Sequence, residues 1–364
     1  MASVHELSGA EPVLPGLDLR LLARRAALPL ALVVAALAVL VLAGGPLQVL
    51  ADALRRALAA DPRWIALGAV AELLSFVGYV SLFWLVGHRA SPRLDLRAGA
   101  EITLGGAAAT RLLPTAGAGG AALTLWAIAK TGMGTKRAGR LLLTFFVLLY
   151  GVFLAGIALS GAAIAIGLGG GAGHAAVAGA AAVAAGLAIA VALGLGRRAA
   201  ADPPAGAGRL RQGGFVLGAA VRDAWGLLRR GDVRLLGAPA WWAFDAAVLW
   251  TTFHALGEPP SLAVLAFAYF AGQVGNTIPL PGAVSGGMVG TLLAFGVAPD
   301  LALTAVLAYR AVAIWLPAPL GLAALAALRA RIARWTREDA GAAVPVAAEP
   351  LVTAPQLAPV PCAA

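Results

Sequence analysis

Two arginines stand inside apolar runs: Arg111 in Ala98–Lys130 and Arg310 in Leu301–Leu328. A guanidinium at bilayer depth costs about 2.5–3.5 kcal/mol on insertion scales, so it is retained for a partner or a ligand. Its chemistry is bidentate, because the planar fork of donors matches a carboxylate or a phosphate in a way an ammonium cannot copy. Acids that lie within apolar runs are Glu72 and Asp245, with Glu101 nearer the end of one. Two uses stay open. The arginines pair with those acids and hold a bundle together, or they face a cavity and receive an anionic headgroup.

Arg111 is followed by the helix-breaking stretch Leu112-Leu113-Pro114-Thr115-Ala116-Gly117-Ala118-Gly119-Gly120. A second break reads Asn276-Thr277-Ile278-Pro279-Leu280-Pro281-Gly282, with Gly286-Gly287 shortly after. Proline withdraws a backbone donor and glycine relaxes the helix. A half-helix starting after such a break presents unpaired N–H groups and its positive dipole end, which suit an anion. The candidate headgroup-binding set is therefore Arg111, Pro114, Gly117, Gly119, Gly120, Pro281, Gly282 and Arg310, with Glu72 and Asp245 as possible ion partners. The plainer reading of the glycines is close helix packing. Gly117–Ala122 also fits a dinucleotide fingerprint, but that pattern needs a preceding strand and a βαβ unit. His5, His88, His174 and His254 are scattered, and His254 falls on the helix face opposite Asp245. Cys362 is the only cysteine. No metal, cofactor or catalytic triad is expected.

The elements that must position these residues are membrane helices. The 364 residues are 61% hydrophobic and only 12% charged, with a mean hydropathy of +0.88; soluble domains carry about 25% charged residues. The net charge of +10 does not point to nucleic acid, because the basic residues punctuate the apolar runs as in cytoplasmic membrane loops. The expected fold is all-α and polytopic. Six spans are read at Ala27–Ala43, Trp64–Gly87, Leu141–Leu168, Ala175–Gly196, Leu235–Gly257 and Leu301–Leu328. Ala27–Ala43 exceeds the apolar core of a cleaved signal and is read as a retained helix.

Segments 98–130 and 261–297 do not read as simple spans. Unbroken, the first would be roughly 48 Å long, and each half only about 20 Å, too short to cross. If both segments are re-entrant hairpins, 22 of the 27 basic residues fall on the cytoplasmic side and only Arg55, Arg56 and Arg63 outside. If both cross, the bias reverses, so the positive-inside rule selects hairpins. They enter from opposite faces, a weak inverted repeat of the kind that builds transporters. The expected divisions are a cytoplasmic N-terminal segment 1–25, a membrane domain 26–330 with cytoplasmic loop 197–234, and a basic, then disordered, cytoplasmic tail 331–364. Within the loop, Phe215–Arg230 is expected on the membrane surface. Trp64, Trp84, Trp335 and Trp241-Trp242 read as interfacial anchors.

The first break, with Ala121, Leu123, Trp126 and Gly132 after it, resembles a hallmark of the flippase-like membrane domain of the lysylphosphatidylglycerol synthetase family. Pro279-Leu280-Pro281-Gly282, Gly286-Gly287-Met288-Val289-Gly290 and Phe295-Gly296-Val297 are similar to the second hallmark. Tyr309-Arg310 and Leu316-Pro317 with Gly321 resemble the helix that follows. The likeness covers roughly residues 27–330. Where family members carry a glutamate after Pro-Gly-Gly, this sequence has Ser285 or Met288, depending on gap placement. No polar stretch could form the soluble aminoacyl transferase domain of the full-length synthetases, so a stand-alone membrane domain is expected and synthetase activity is not carried over.

The resemblance implies lipid translocation in the plasma membrane, with both termini cytoplasmic. The transported species would be an anionic phospholipid or a lipid-linked precursor, its phosphate neutralised by Arg111 and Arg310. Expected partners are lipid headgroups and the bilayer, with a homo-oligomer or an envelope-biosynthesis partner as further options. The alternatives are a non-transporting scaffold or accessory subunit of envelope biosynthesis, and a membrane-embedded transferase. No convincing catalytic base supports the last, and no enzyme activity is expected.

Overall fold

The computed structural model describes residues 55–342, apart from residues 57, 113–116, 169–173, 199–207, 258, 279 and 281. The expected first span, the N-terminal segment, Pro114, Pro281 and residues 343–364 lie outside this description. Every regular element among the described residues is helical.

Helix α1 (Pro62–Gly87) starts where Asp61 accepts a hydrogen bond from the Arg63 N–H at 2.9 Å, with Pro62 at the first helical position. The first broken segment is α2 (Leu96–Leu112) and α3 (Ala118–Ala129), followed by the long α4 (Thr135–Ala165), α5 (Ala175–Arg198) and α6 (Arg209–Arg229). Helix α7 (Gly237–Ala255) leads to the second broken segment, α8 (Leu262–Gln273), a 3-10 turn Val274–Thr277 and α9 (Ala283–Ala294). Helix α10 (Pro299–Arg310), a π turn Ala311–Trp315 and α11 (Pro317–Ala342) complete the chain. Both segments break where the sequence predicts, and in the same way. Gly117 and Gly282 cap the second half-helices in the left-handed region, at φ +77° and +82°. There a Cβ is strained and glycine is not.

Among the described residues, four stretches are long and apolar enough to cross a membrane: α1, α4, α5 and the 43 residues Pro299–Gly341. The expected span at Leu235–Gly257 appears as the 19-residue α7, made more polar by Asp245, His254 and its tryptophans. It runs antiparallel along α1, from the Asp61 N–H to the Ala255 carbonyl (3.0 Å) to a crossing of Gly78 with Gly237. A Cβ on Gly78 would lie 2.8 Å from the Gly237 carbonyl oxygen, so the approach requires glycine.

Each broken segment folds back on itself. Thr124 and the backbone of Gly106 and Gly120 close the first hairpin; Gly272 against Met288, and Gly275 against Ala283, close the second. The long helices then trade places. Helix α11, which follows the second hairpin, covers α2 of the first, with Leu325 over Gly105 and Gly321 against Ala108. Helix α4, which follows the first hairpin, covers α8 of the second, with Phe270 over Gly156. At one end of the bundle Arg56 pairs with Asp300 at 2.6 Å beside the start of α1 and the end of α7. At the other, Arg93 grips Asp339 at 2.6 and 3.0 Å and Arg331 grips Glu101 at 2.6 and 2.8 Å. The α2–α3 hairpin opens at the second end and α8–α9 at the first, the inverted relation expected of the two segments.

Two features depart from the sequence reading. Helix α11 continues to Ala342, past the start of the expected irregular tail, because Arg93 holds Asp339 and packs over the buried Trp335 ring at 5.8 Å. Trp335, Trp241 and Trp242 are buried in the core, where the sequence pattern reads anchors. Helix α6 is amphipathic as read, and its apolar face (Ala220, Val221, Ala224) is buried, with Val221 over Gly196 of α5 and Asp223 paired to Arg140 of α4 at 2.6 and 2.8 Å. Helix α5 keeps Val177, Val183, Leu187 and Val191 exposed, as a lipid-facing helix does.

Candidate functional site

Glu72 of α1 and Asp245 of α7 come to the same level because those helices run antiparallel through the Gly78–Gly237 crossing. The guanidinium of Arg111, on the last turn of α2, stands between them. Its Nη1 donates to Glu72 Oε1 at 2.6 Å, and its Nη2 lies 3.8 Å from Asp245 Oδ1. The rings of Phe76 and Trp241 lie 5.1 and 5.4 Å from the guanidinium carbon and add cation–π attraction. Nη1 also donates to the Ala313 carbonyl. That carbonyl is available for a reason legible in the sequence: its α-helical donor would be residue 317, which is proline and has no N–H. The π turn that carries it, Ala311–Trp315, is a local geometry frequent at functional sites.

Asp245 is held from its other side by a cage of phenols and amides. Its Oδ2 accepts from Tyr269 Oη at 2.5 Å, Tyr309 Oη at 3.1 Å and Gln273 Nε2 at 3.3 Å. Gln273 Nε2 also reaches Tyr309 Oη at 3.1 Å, and its Oε1 accepts from Asn276 Nδ2 at 2.6 Å. The chain of polar groups thus runs from Asp245 to the tip of the second hairpin. Two atoms are left over: Glu72 Oε2 and Asp245 Oδ1 are buried and have no hydrogen-bond partner among the described residues.

Beside this cluster is a cavity of about 150 Å³, lined by Tyr79, Thr110, Arg111, Gly117, Gly120, Tyr150, Trp241, Asp245, Gln273, Asn276, Tyr309 and Arg310. Both hairpin tips contribute to it, and so do the long helices. The two arginines differ sharply. Arg111 is saturated by acids, whereas Arg310 makes no ion pair or hydrogen bond among the described residues and is half-buried at the cavity wall. The start of α3 lines the cavity through Gly117 and Gly120. Gly119 is half-buried within α3 and does not line it, and Gly282 is exposed. From the second hairpin the cavity receives Gln273 and Asn276 instead.

Tyr269 and Gln273 escape a reading by residue type. Tyrosine at helical spacing counts as apolar packing, and the partner Asp245 is 24 and 28 residues away. Asn276 and Tyr309 are visible only as members of motifs.

A helical membrane bundle with two oppositely opening broken hairpins around a buried charged cavity has the build of an integral membrane protein that handles charged or amphipathic molecules. The family is shown directly: the chain belongs to the lysylphosphatidylglycerol synthase TM region family, whose model matches residues 27–321. No curated protein matches the chain. The resemblance carried by the two break motifs is thereby upheld, and with it a membrane lipid-related role.

Proposed function

We propose that this protein moves an anionic phospholipid or a lipid-linked precursor between leaflets, with the headgroup phosphate entering the cavity beside Arg310. The observation that carries this reading is Arg310 itself, an arginine in an apolar helix, at a cavity wall, with no anion to answer it among the described residues. An intramembrane cation without a partner is costly unless a ligand supplies one. Of the two uses open to Arg111, this reading takes the pairing one: it bridges Glu72 and Asp245 and fixes the cavity wall, while Arg310 receives the phosphate. The α3 N-terminus at Gly117–Gly120 adds a positive dipole end to the same cavity. The topology that goes with this reading has the Arg93–Asp339 end of the bundle cytoplasmic, in the plasma membrane.

The test is leaflet exchange of fluorescent phosphatidylglycerol in vesicles carrying the purified protein, read with an impermeant quencher. Wild type should exchange the lipid. Arg310→Gln should abolish exchange at unchanged thermal stability, since it breaks no ion pair, and Arg310→Lys should fall between. Wild-type protein that inserts but exchanges no lipid would favour a non-transporting scaffold.

A further inference from the structure

We infer that Glu72 and Asp245 share one proton, and that this proton is taken up when an anionic headgroup enters the cavity. The second half of the inference rests on the proposed function; the first does not. Glu72 is fully buried and Asp245 nearly so. One guanidinium bridges the two carboxyls, with Arg111 Nη1 2.6 Å from Glu72 Oε1 and Nη2 3.8 Å from Asp245 Oδ1. Each keeps one oxygen without a partner, Oε2 on Glu72 and Oδ1 on Asp245. Buried carboxylate oxygens are rarely left unsatisfied, and two such acceptors on carboxyls bridged by one guanidinium are satisfied together by a single hydrogen. That proton sits on one carboxyl and is donated to the other.

Charge bookkeeping leads to the same ligand. The groups facing the pair are Arg111 from α2, Tyr269 from α8 and Tyr309 from α10, with Tyr79, Tyr150 and Arg310 around the cavity. With both acids ionised, their two negative charges equal in sum the two positive charges of Arg111 and Arg310, and the cavity is neutral overall although Arg310 touches neither acid. With one proton bound, Arg111 balances the remaining carboxylate and Arg310 is left as a net positive charge. A phosphodiester carries one negative charge and fits only the second state. Proton and headgroup therefore bind with positive coupling, and by linkage each raises the affinity for the other. A metal cation fits the pair poorly. Arg111 already occupies the space between the acids, and the remaining donors to Asp245 are O–H and N–H groups that a metal would have to displace.

The experiment is calorimetric binding of short-chain phosphatidylglycerol to the full chain in detergent, in sodium-free buffers of different ionisation enthalpy. Infrared spectra of the lipid-free protein across pH accompany it. Wild type should take up close to one proton per lipid bound at alkaline pH, and the uptake should vanish on acidification as the pair becomes protonated beforehand. Glu72→Gln, which keeps the shape and the donor, should bind lipid with no proton uptake and lose the pH dependence. Lipid binding without proton uptake in wild type, or binding that requires sodium, would overturn the coupling and leave the headgroup site standing. If wild type binds no lipid, the headgroup site fails. The shared proton then stands if a protonated-carboxyl band titrates in wild type and is lost in Glu72→Gln, and falls if no such band appears.

Discussion

Removing the guanidinium of Arg111 would strand Glu72, which is fully buried, and expose Asp245 to its charge. Breaking a buried pair by deleting one partner costs about 3–5 kcal/mol, because an uncompensated charge remains. Arg111→Ala should therefore lower the thermal midpoint in detergent markedly, and adding Glu72→Ala should recover most of the loss. An Arg111→Ala protein as stable as wild type would remove the structural role assigned here. Arg310 should behave in the opposite way, with transport lost and stability kept. The sequence shows both arginines as anomalies of the same kind, since each sits in an apolar run. What separates them is the antiparallel register of α1 and α7, which delivers two acids to one arginine and none to the other. That register depends on a glycine crossing between residues 159 positions apart in the chain, Gly78 and Gly237, and no local pattern announces it.

The two breaks are where local chemistry is most legible. Arg111, Pro114 and Gly117 recur at the same spacing as Asn276, Pro279 and Gly282, and both glycines adopt a left-handed backbone. Neither Gly117 nor Gly282 has a neighbour among the described residues that a Cβ would strike, so substitution there isolates the backbone cost. Gly117→Ala and Gly282→Ala should each destabilise by about 1–2 kcal/mol, measured by thermal or denaturant unfolding in detergent. Gly120→Ala should cost more, because its Cβ collides with Thr110 and the Gly106 carbonyl and forces the first hairpin apart. If all three substitutions proved equal, the hairpin closure described for α2 and α3 would be wrong. By contrast, the burial of Trp241 and Trp242 was hidden. A tryptophan near the end of an apolar run looks the same whether it meets headgroups or a helix, and only the packing of α7 against α1, α4 and α8 decides.

For the whole molecule, the basic residues separate as the hairpins do. Arg93, Arg140, Arg234 and Arg331 belong to the end where α2 and α3 open, and Arg55, Arg56 and Arg63 to the other. The proposed topology, which follows the positive-inside rule, has the first end cytoplasmic. Cys362, the only thiol and outside the described residues, should react with an impermeant maleimide in lysed cells and not in intact ones. Labelling of intact cells would invert the orientation.

The trade of long helices between hairpins also sets a timetable for synthesis. Glu101 meets Arg331 across 230 residues. At about 5–20 residues per second, the ribosome needs roughly 10–50 s to deliver that partner. Through that interval α2 has its α11 face bare and Glu101 has the exposed Arg97 one turn earlier, at 3.7 Å, in place of the closer two-bond grip of Arg331, so the first hairpin has reason to wait at the lipid–water boundary until α11 emerges to seat it. Nascent chains arrested before residue 331 should therefore leave α2 open to water-soluble thiol reagents at an introduced cysteine, and chains released at full length should bury it.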